Sequence, residues 1–199
     1  MNKALLAITA SAMTMFLLNI AVQARDASAL ADPSPANKKS ISAESSAPSA
    51  YFSRLKEVMT GEWVGQYTNG TFSKPGEWKP VRVEYRLTSN GTALVEDYLF
   101  GDSAVIGMTT VYHQDNDDLR LTHYCGASNH PSMIARELDA DAQRVLFDFT
   151  SITNLKNAED YHSRQMEVEI VASDHIKIQY RGLMEGEIRS QAYNLRRTE

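Results

Sequence analysis

The sequence predicts an all-β protein: a closed up-and-down antiparallel barrel of about 8–10 strands with one short N-terminal helix. Three observations carry this expectation. From Gly61 onward, apolar and polar residues alternate with a period of two, which marks strands with one apolar and one wet face. Turn residues interrupt the alternation at short intervals, so neighbours in sequence become neighbours in space. About ten such segments follow one another in the 150 residues of 50–199. A flat open sheet of that many strands leaves exposed edges, and closure removes them.

The barrel is not expected to begin at the N-terminus. Residues 1–24 read as a secretory signal, with Lys3 as a positive start and an uncharged apolar run from Ala4 to Ile20. Val22-Gln23-Ala24 supplies a cleavage site with small residues. That run is 17 residues long, at the lower limit for crossing a bilayer, so cleavage is expected and no stable membrane anchor afterwards. Residues 25–49 read as a disordered linker. Six Ala, seven Ser and three Pro fill most of its 25 positions, and such a composition cannot bury enough surface to offset ordering. The expected domain is 50–199, and the expected location is the periplasm or the exterior.

Within that domain the first element is helical. Phe52, Leu55, Val58 and Met59 fall on one face of a helix, Ser49 is placed to cap it, and Gly61 ends it. Strands are then predicted at 61–68, 80–88, 92–100, 105–114, 118–125, 132–139, 144–151, 162–172, 175–182 and 187–196. The alternation is clearest where Val81, Val83, Tyr85 and Leu87 interleave with Arg82, Glu84 and Arg86. It recurs where Met166, Val168 and Ile170 interleave with Glu167 and Glu169, and where Ile176, Ile178 and Tyr180 interleave with Lys177 and Gln179. Ser89-Asn90-Gly91, Asp115 to Asp118, Asp139-Ala140-Asp141 and Ser173-Asp174 supply turns. The matches to the glycosylation sequon at Asn69 and Asn90 read as turns too.

Composition excludes several function classes. The chain has 20 Lys+Arg against 25 Asp+Glu, for a net charge of −5, and lacks the basic field that nucleic acid requires. Its single Cys rules out an intramolecular disulfide and a Cys-rich zinc module. The nucleophile-elbow, phosphate-loop, His-Glu-x-x-His and Cys-x-x-Cys motifs are absent.

Two resemblances sharpen the fold. A short helix, then Gly61-Glu62-Trp63 opening the first strand, then Arg196 or Arg197 ending the last, resembles the calycin superfamily, which includes lipocalins and fatty-acid-binding proteins. The resemblance implies that Trp63 closes one end of the barrel beneath the Arg, a guanidinium stacked on an indole. A closer resemblance spans roughly 55–196. Residues 85–96, Tyr112-His113, Leu121 to Cys125, Asn129 to Met133, Phe147-Asp148-Phe149 and Thr153-Asn154-Leu155 are similar to a family of small bacterial lipocalin-like proteins of uncharacterised function. It implies a fold and no reaction.

Register decides what lines the interior. A turn at Asn116-Asp117 pairs Gln114 with Leu119, Tyr112 with Leu121, Thr110 with His123 and Met108 with Cys125, and paired residues share a face. Met108, Thr110, Tyr112, Leu121, His123 and Cys125 then point inward, and His113 and Arg120 outward. Tyr98, Met108, Thr110, Tyr112, His123 and Cys125 are the candidate ligand-binding residues. Trp63 and Arg196 are the candidate barrel-closing pair, with Arg197 the other possible partner. No metal site is expected, because His123 and Cys125 lack a third ligand. Haem held by His123 or His130 is an alternative. Glu96, Asp97 and Asp148 lie in apolar strands, and periodicity alone leaves their direction open. Trp78 and the 152–161 loop, with Asn154 and Tyr161, are placed to sit near an opening.

These residues predict a protein that holds a small, largely apolar molecule inside the barrel. A barrel enzyme using His123, and a ligand-free barrel packed with its own side chains that makes envelope interactions through its acidic outer face, are the rival expectations.

Overall fold

The computed structural model describes residues 47–69, 77–138 and 143–199. The expected signal (1–24) and most of the expected linker lie outside them, as do most of the 69–79 loop and the turn at Asp139 to Asp141. The described chain is one α-helix followed by ten strands, with a short 3-10 helix at Ser89–Gly91 between the second and third. They are α1 (Ala47–Met59), β1 (Gly61–Asn69), β2 (Trp78–Thr88), β3 (Ala93–Phe100), β4 (Met108–Asp115), β5 (Asp118–Tyr124), β6 (His130–Leu138), β7 (Arg144–Thr153), β8 (His162–Ala172), β9 (His175–Met184) and β10 (Glu187–Arg197).

Each strand pairs antiparallel with its sequence neighbour, and β1 pairs with β10 to close the barrel. The up-and-down topology is the one expected, with ten strands. Two boundaries differ from the sequence reading. The helix starts at Ala47, so Ser49 lies inside its first turns instead of capping it, and residues 47–49 leave the expected linker. β4 starts at Met108, because Gly107 N–H bonds back to the Tyr98 carbonyl and leaves 101–107 as a loop.

The predicted alternation is visible as burial. Val81, Val83 and Tyr85 are buried, as are Met166, Val168 and Ile170, and Ile176, Ile178 and Tyr180. Leu87 departs from the pattern and is exposed, at the end of β2 where the wall stops. The helix lays Tyr51, Phe52, Leu55, Val58 and Met59 into the same core as the strands. The barrel interior is occupied mainly by large side chains, among them Trp63, Tyr85, Tyr98, Tyr112, Tyr180, Tyr193 and Phe147, each nearly or fully buried.

The helix closes one end. Trp63 Nε1 donates to the Met59 carbonyl at 2.7 Å, and the indole meets Tyr85 edge-on. The Arg197 guanidinium lies over the Trp63 ring, 4.7 Å from its centroid, and donates to the Thr60 carbonyl at 2.7 Å and to the Val58 carbonyl. Arg197, not Arg196, is therefore the closing cation. Register is the reason: Trp63 pairs with Arg197 and Val64 with Arg196, and cross-strand partners share a face. Arg196 faces outward and pairs with Asp174.

Candidate functional site

One row of inward residues runs across four adjacent strands. Tyr85 on β2 pairs with Glu96 on β3, Glu96 with Thr110 on β4, and Thr110 with His123 on β5. Antiparallel register places these side chains abreast on the inner face. All four are buried, and a buried carboxylate needs partners. Glu96 finds them in phenols. Tyr85 and Tyr98 donate to its Oε1 at 2.5 and 2.7 Å, and Tyr112 donates to its Oε2 at 2.8 Å. Next to them the Thr110 hydroxyl bonds with His123 Nδ1 at 2.9 Å and with the Tyr180 hydroxyl at 3.2 Å.

Burial sets the protonation of this cluster. It pushes Glu96 above the ordinary carboxyl range, against the opposing pull of hydroxyl donors from Tyr85, Tyr98, Tyr112 and Thr110. It pushes the phenols of Tyr85, Tyr98, Tyr112 and Tyr180 well up, and the nearby Glu96 carboxylate adds to this. The phenols therefore stay protonated as donors. Burial also lowers His123 to about 3, with a smaller contribution from His130, so its imidazole is neutral at physiological pH.

The other two carboxylates of interest face outward. Asp97 is buried on the outer side of β3, where it accepts from Thr109 Oγ1 at 2.5 Å and pairs with Arg86 at 3.2 Å. Asp148 accepts from Gln165 Nε2 at 2.8 Å. These three carboxylates therefore do not form an inward acid–base pair.

At the end opposite the helix the filling stops. A cavity of about 360 Å³ opens there, at the small end of the range for small-molecule pockets. Strands supply Tyr67, Phe100, Met108, Gln191 and Tyr193, and loops supply Gly107, Cys125, Gly126, Ala127 and Tyr161. The rings pack on one another. Tyr67 stacks on Tyr193 at 5.6 Å and meets Phe100 edge-on at 4.9 Å, while Tyr98 stands beneath, 5.0 Å from Tyr193.

Two glycines seat these rings. A Cβ on Gly107 would lie 2.8 Å from the Phe100 ring, and one on Gly182 would lie 2.7 Å from the Tyr161 ring. Both rings therefore rest directly on backbone. Two loops are also tied together at the rim. Asn129 Nδ2 donates to the Tyr161 carbonyl at 2.7 Å, and Asn154 Nδ2 donates to the Ser128 carbonyl.

The six candidate ligand-binding residues divide between these two places. Met108 and Cys125 line the cavity. Tyr98, Thr110, Tyr112 and His123 lie below it in the hydrogen-bonded cluster, each almost fully buried. The Asn116-Asp117 turn does pair Thr110 with His123 and Tyr112 with Leu121. Facing inward thus brought these four together, but against Glu96 and Tyr180 instead of an open space.

Tyr161 was visible from the sequence as a loop residue near an opening. Tyr67, Phe100, Gln191 and Tyr193 were not singled out, because they become neighbours only when β10 closes on β1. Trp78 stands on the outer wall, half exposed, beside depressions lined by Asn194 and other polar residues. Among the described residues, no group of three or more His, Cys, Asp or Glu side chains is placed to hold a metal ion.

No protein-family model and no curated protein matches the chain. Similar solved structures exist at low identity. One is a protein of unknown function of the DUF3598 family from Nostoc punctiforme, 12% identical, with a TM-score of 0.47 over 72% of this chain and 49% of that one. The chain thus spans about half the length of that protein. Another is Rv2717c from M. tuberculosis, 11% identical, with a TM-score of 0.49 over 74% of this chain and 98% of that one. A redesigned β-barrel is 10% identical, with a TM-score of 0.34 over 73% of this chain and 96% of that one.

Proposed function

We propose that the protein binds a small, largely apolar molecule at the open mouth of the barrel. The observation that carries this reading is the contrast inside the barrel. The interior is filled with side chains from the helix upward, and the filling ends at a cavity walled by aromatic rings, Met108 and Cys125. Displacing water from such a wall contributes about 2.5 kcal/mol for each 100 Å² of apolar surface buried, before the costs of binding. The filled interior confines the ligand to the mouth and limits its size.

Trp63 beneath Arg197 supports placing the protein with calycin-type barrels, and residues 1–24 support export to the periplasm or the exterior. Haem fits the arrangement poorly. No imidazole lines the cavity: His123 Nδ1 is engaged with Thr110, and His130 sits at the start of β6 with its Nδ1 on the Thr153 hydroxyl. A barrel enzyme using His123 is disfavoured for the same reason, since a substrate at the mouth does not reach that ring.

The test is native mass spectrometry of the protein purified gently from its own host, with an absorbance scan of the same sample. The expected result is a bound organic species of a few hundred daltons, released when the mouth is filled by an Ala127→Trp substitution. Detection of haem, or a protein that stays ligand-free after exposure to a panel of small aromatic and aliphatic compounds, would overturn the reading.

A further inference from the structure

We propose that the ligand is a neutral aromatic compound carrying one hydrogen-bond acceptor, and that Gln191 Nε2 holds that acceptor. This rests on the mouth-binding reading and names the chemical class that the mouth selects.

Charge is the first argument. None of the ten described residues around the cavity is Lys, Arg, Asp, Glu or His. Burial pushes the Cys125 thiol up and the Tyr161 hydroxyl up to about 12, so both stay neutral at physiological pH. A carboxylate or ammonium moved into such a wall gives up its hydration without meeting an opposite charge, which is strongly unfavourable. Fatty acids and other anions are therefore selected against.

Shape is the second argument. Tyr67, Phe100, Tyr161 and Tyr193 present four rings to a space of about 360 Å³. Phe100 and Tyr161 are seated on glycine backbone. Ring faces and edges at fixed positions favour stacking of a flat aromatic group over a flexible chain.

The third argument is a polar group without a partner. Gln191 lines the cavity and is only 7% exposed. Its Oε1 accepts from the Tyr193 hydroxyl at 3.2 Å, which fixes the amide and directs Nε2 away from that phenol. Among the described residues Nε2 makes no hydrogen bond. Nε2 is not sealed from solvent, so it is a donor open to the cavity from which a ligand carbonyl or ether oxygen would accept. The Tyr67 hydroxyl also makes no hydrogen bond among the described residues, but Tyr67 is only partly buried and reaches water.

Three near-isosteric probes test this: 2-acetylnaphthalene, 2-isopropylnaphthalene and 2-naphthoate, titrated at pH 7.5 into the wild-type protein and a Gln191→Leu variant. The ketone is expected to bind at least tenfold more tightly than the carboxylate. Gln191→Leu is expected to weaken the ketone five- to tenfold and to leave the hydrocarbon within threefold, which also shows that the variant is folded. Equal affinity for ketone and naphthoate, or an unchanged ketone affinity in Gln191→Leu, overturns this inference alone. Failure of all three probes to bind overturns the mouth-binding reading and this inference with it.

Discussion

The same ten strands end in opposite ways at the two ends of the barrel. At the helix end, Trp63 is fully buried and Arg197 covers it while capping carbonyls at the end of α1. A cation at a helix C-terminus also meets the negative end of the helix dipole. The space there is filled. At the open end, no Lys or Arg lines the cavity among the described residues. Glycine backbone seats aromatic rings, the Gln191 amide lines the space, and a cavity remains. The rims carry exposed apolar residues as well, including Val105, Ile106 and Ile188. The comparison teaches that one wall is capped and filled at one end and stands open over a cavity at the other.

Glu96 lies between the two ends, and its loss should have the largest effect. Glu96→Ala removes the acceptor of three buried phenols, each left unpaired at a cost of about 1–3 kcal/mol. Chemical denaturation should show a total loss of about 3 kcal/mol or more. A change below about 1 kcal/mol would mean that water replaces the carboxylate and that the interior is less well filled than described.

The closing cation gives the next contrast. Arg197→Ala should destabilise by about 2–3 kcal/mol through the lost ring contact and two uncapped carbonyls. Arg196→Ala, which removes an exposed pair with Asp174, should stay within about 0.5 kcal/mol. Equal effects in thermal unfolding would contradict the assignment of Arg197 to the inner face.

Acid should separate the cluster's two titrating groups. His123 has a folded value of about 3 against 6.5 when exposed. The unfolded chain therefore takes a proton first, and stability falls as pH drops below 6.5, by up to about 1.4 kcal/mol per unit. Glu96 acts in the other sense. Its value is raised on folding from 4.5, so its contribution is present below 4.5 and is lost as pH rises through the folded value. His123→Gln should thus show a shallower loss of stability than wild type between pH 6.5 and 4.5, with Glu96 common to both. Parallel pH profiles would place His123 in contact with water.

At the mouth, a small effect on stability is expected to accompany a large one on binding. Gly107→Ala forces the Phe100 ring to shift and should cost about 1 kcal/mol, while changing ligand affinity more than tenfold. Unchanged affinity would separate Phe100 from the binding wall.

Much of the wall was legible in the sequence, and most of the site was not. Period-two alternation and short turns suffice for strands such as β2, β8 and β9, and one turn at Asn116-Asp117 suffices to set Thr110 beside His123. β3 resists the same reading, because Leu94 through Tyr98 are all buried. With both faces covered, alternation has no contrast, and neither Glu96 nor Asp97 announces its direction. The closing arginine shows a different limit. Arg196 and Arg197 are equivalent until β10 pairs with β1, and a shift of one residue exchanges them. The cavity is the extreme case, since its residues come from strands and loops far apart in the chain and share only the end of the barrel at which they stand.

The most direct measurement is a methyl NMR titration of the methionine-labelled protein with 2-acetylnaphthalene. Met108 lines the mouth, Met59 lies under the Trp63 end, and Met133 and Met166 lie in the filled interior between them. The account predicts a saturable shift of the Met108 methyl, with Met59, Met133 and Met166 unmoved. Saturable shifts at Met59 or Met166, or no shift at Met108, would contradict it.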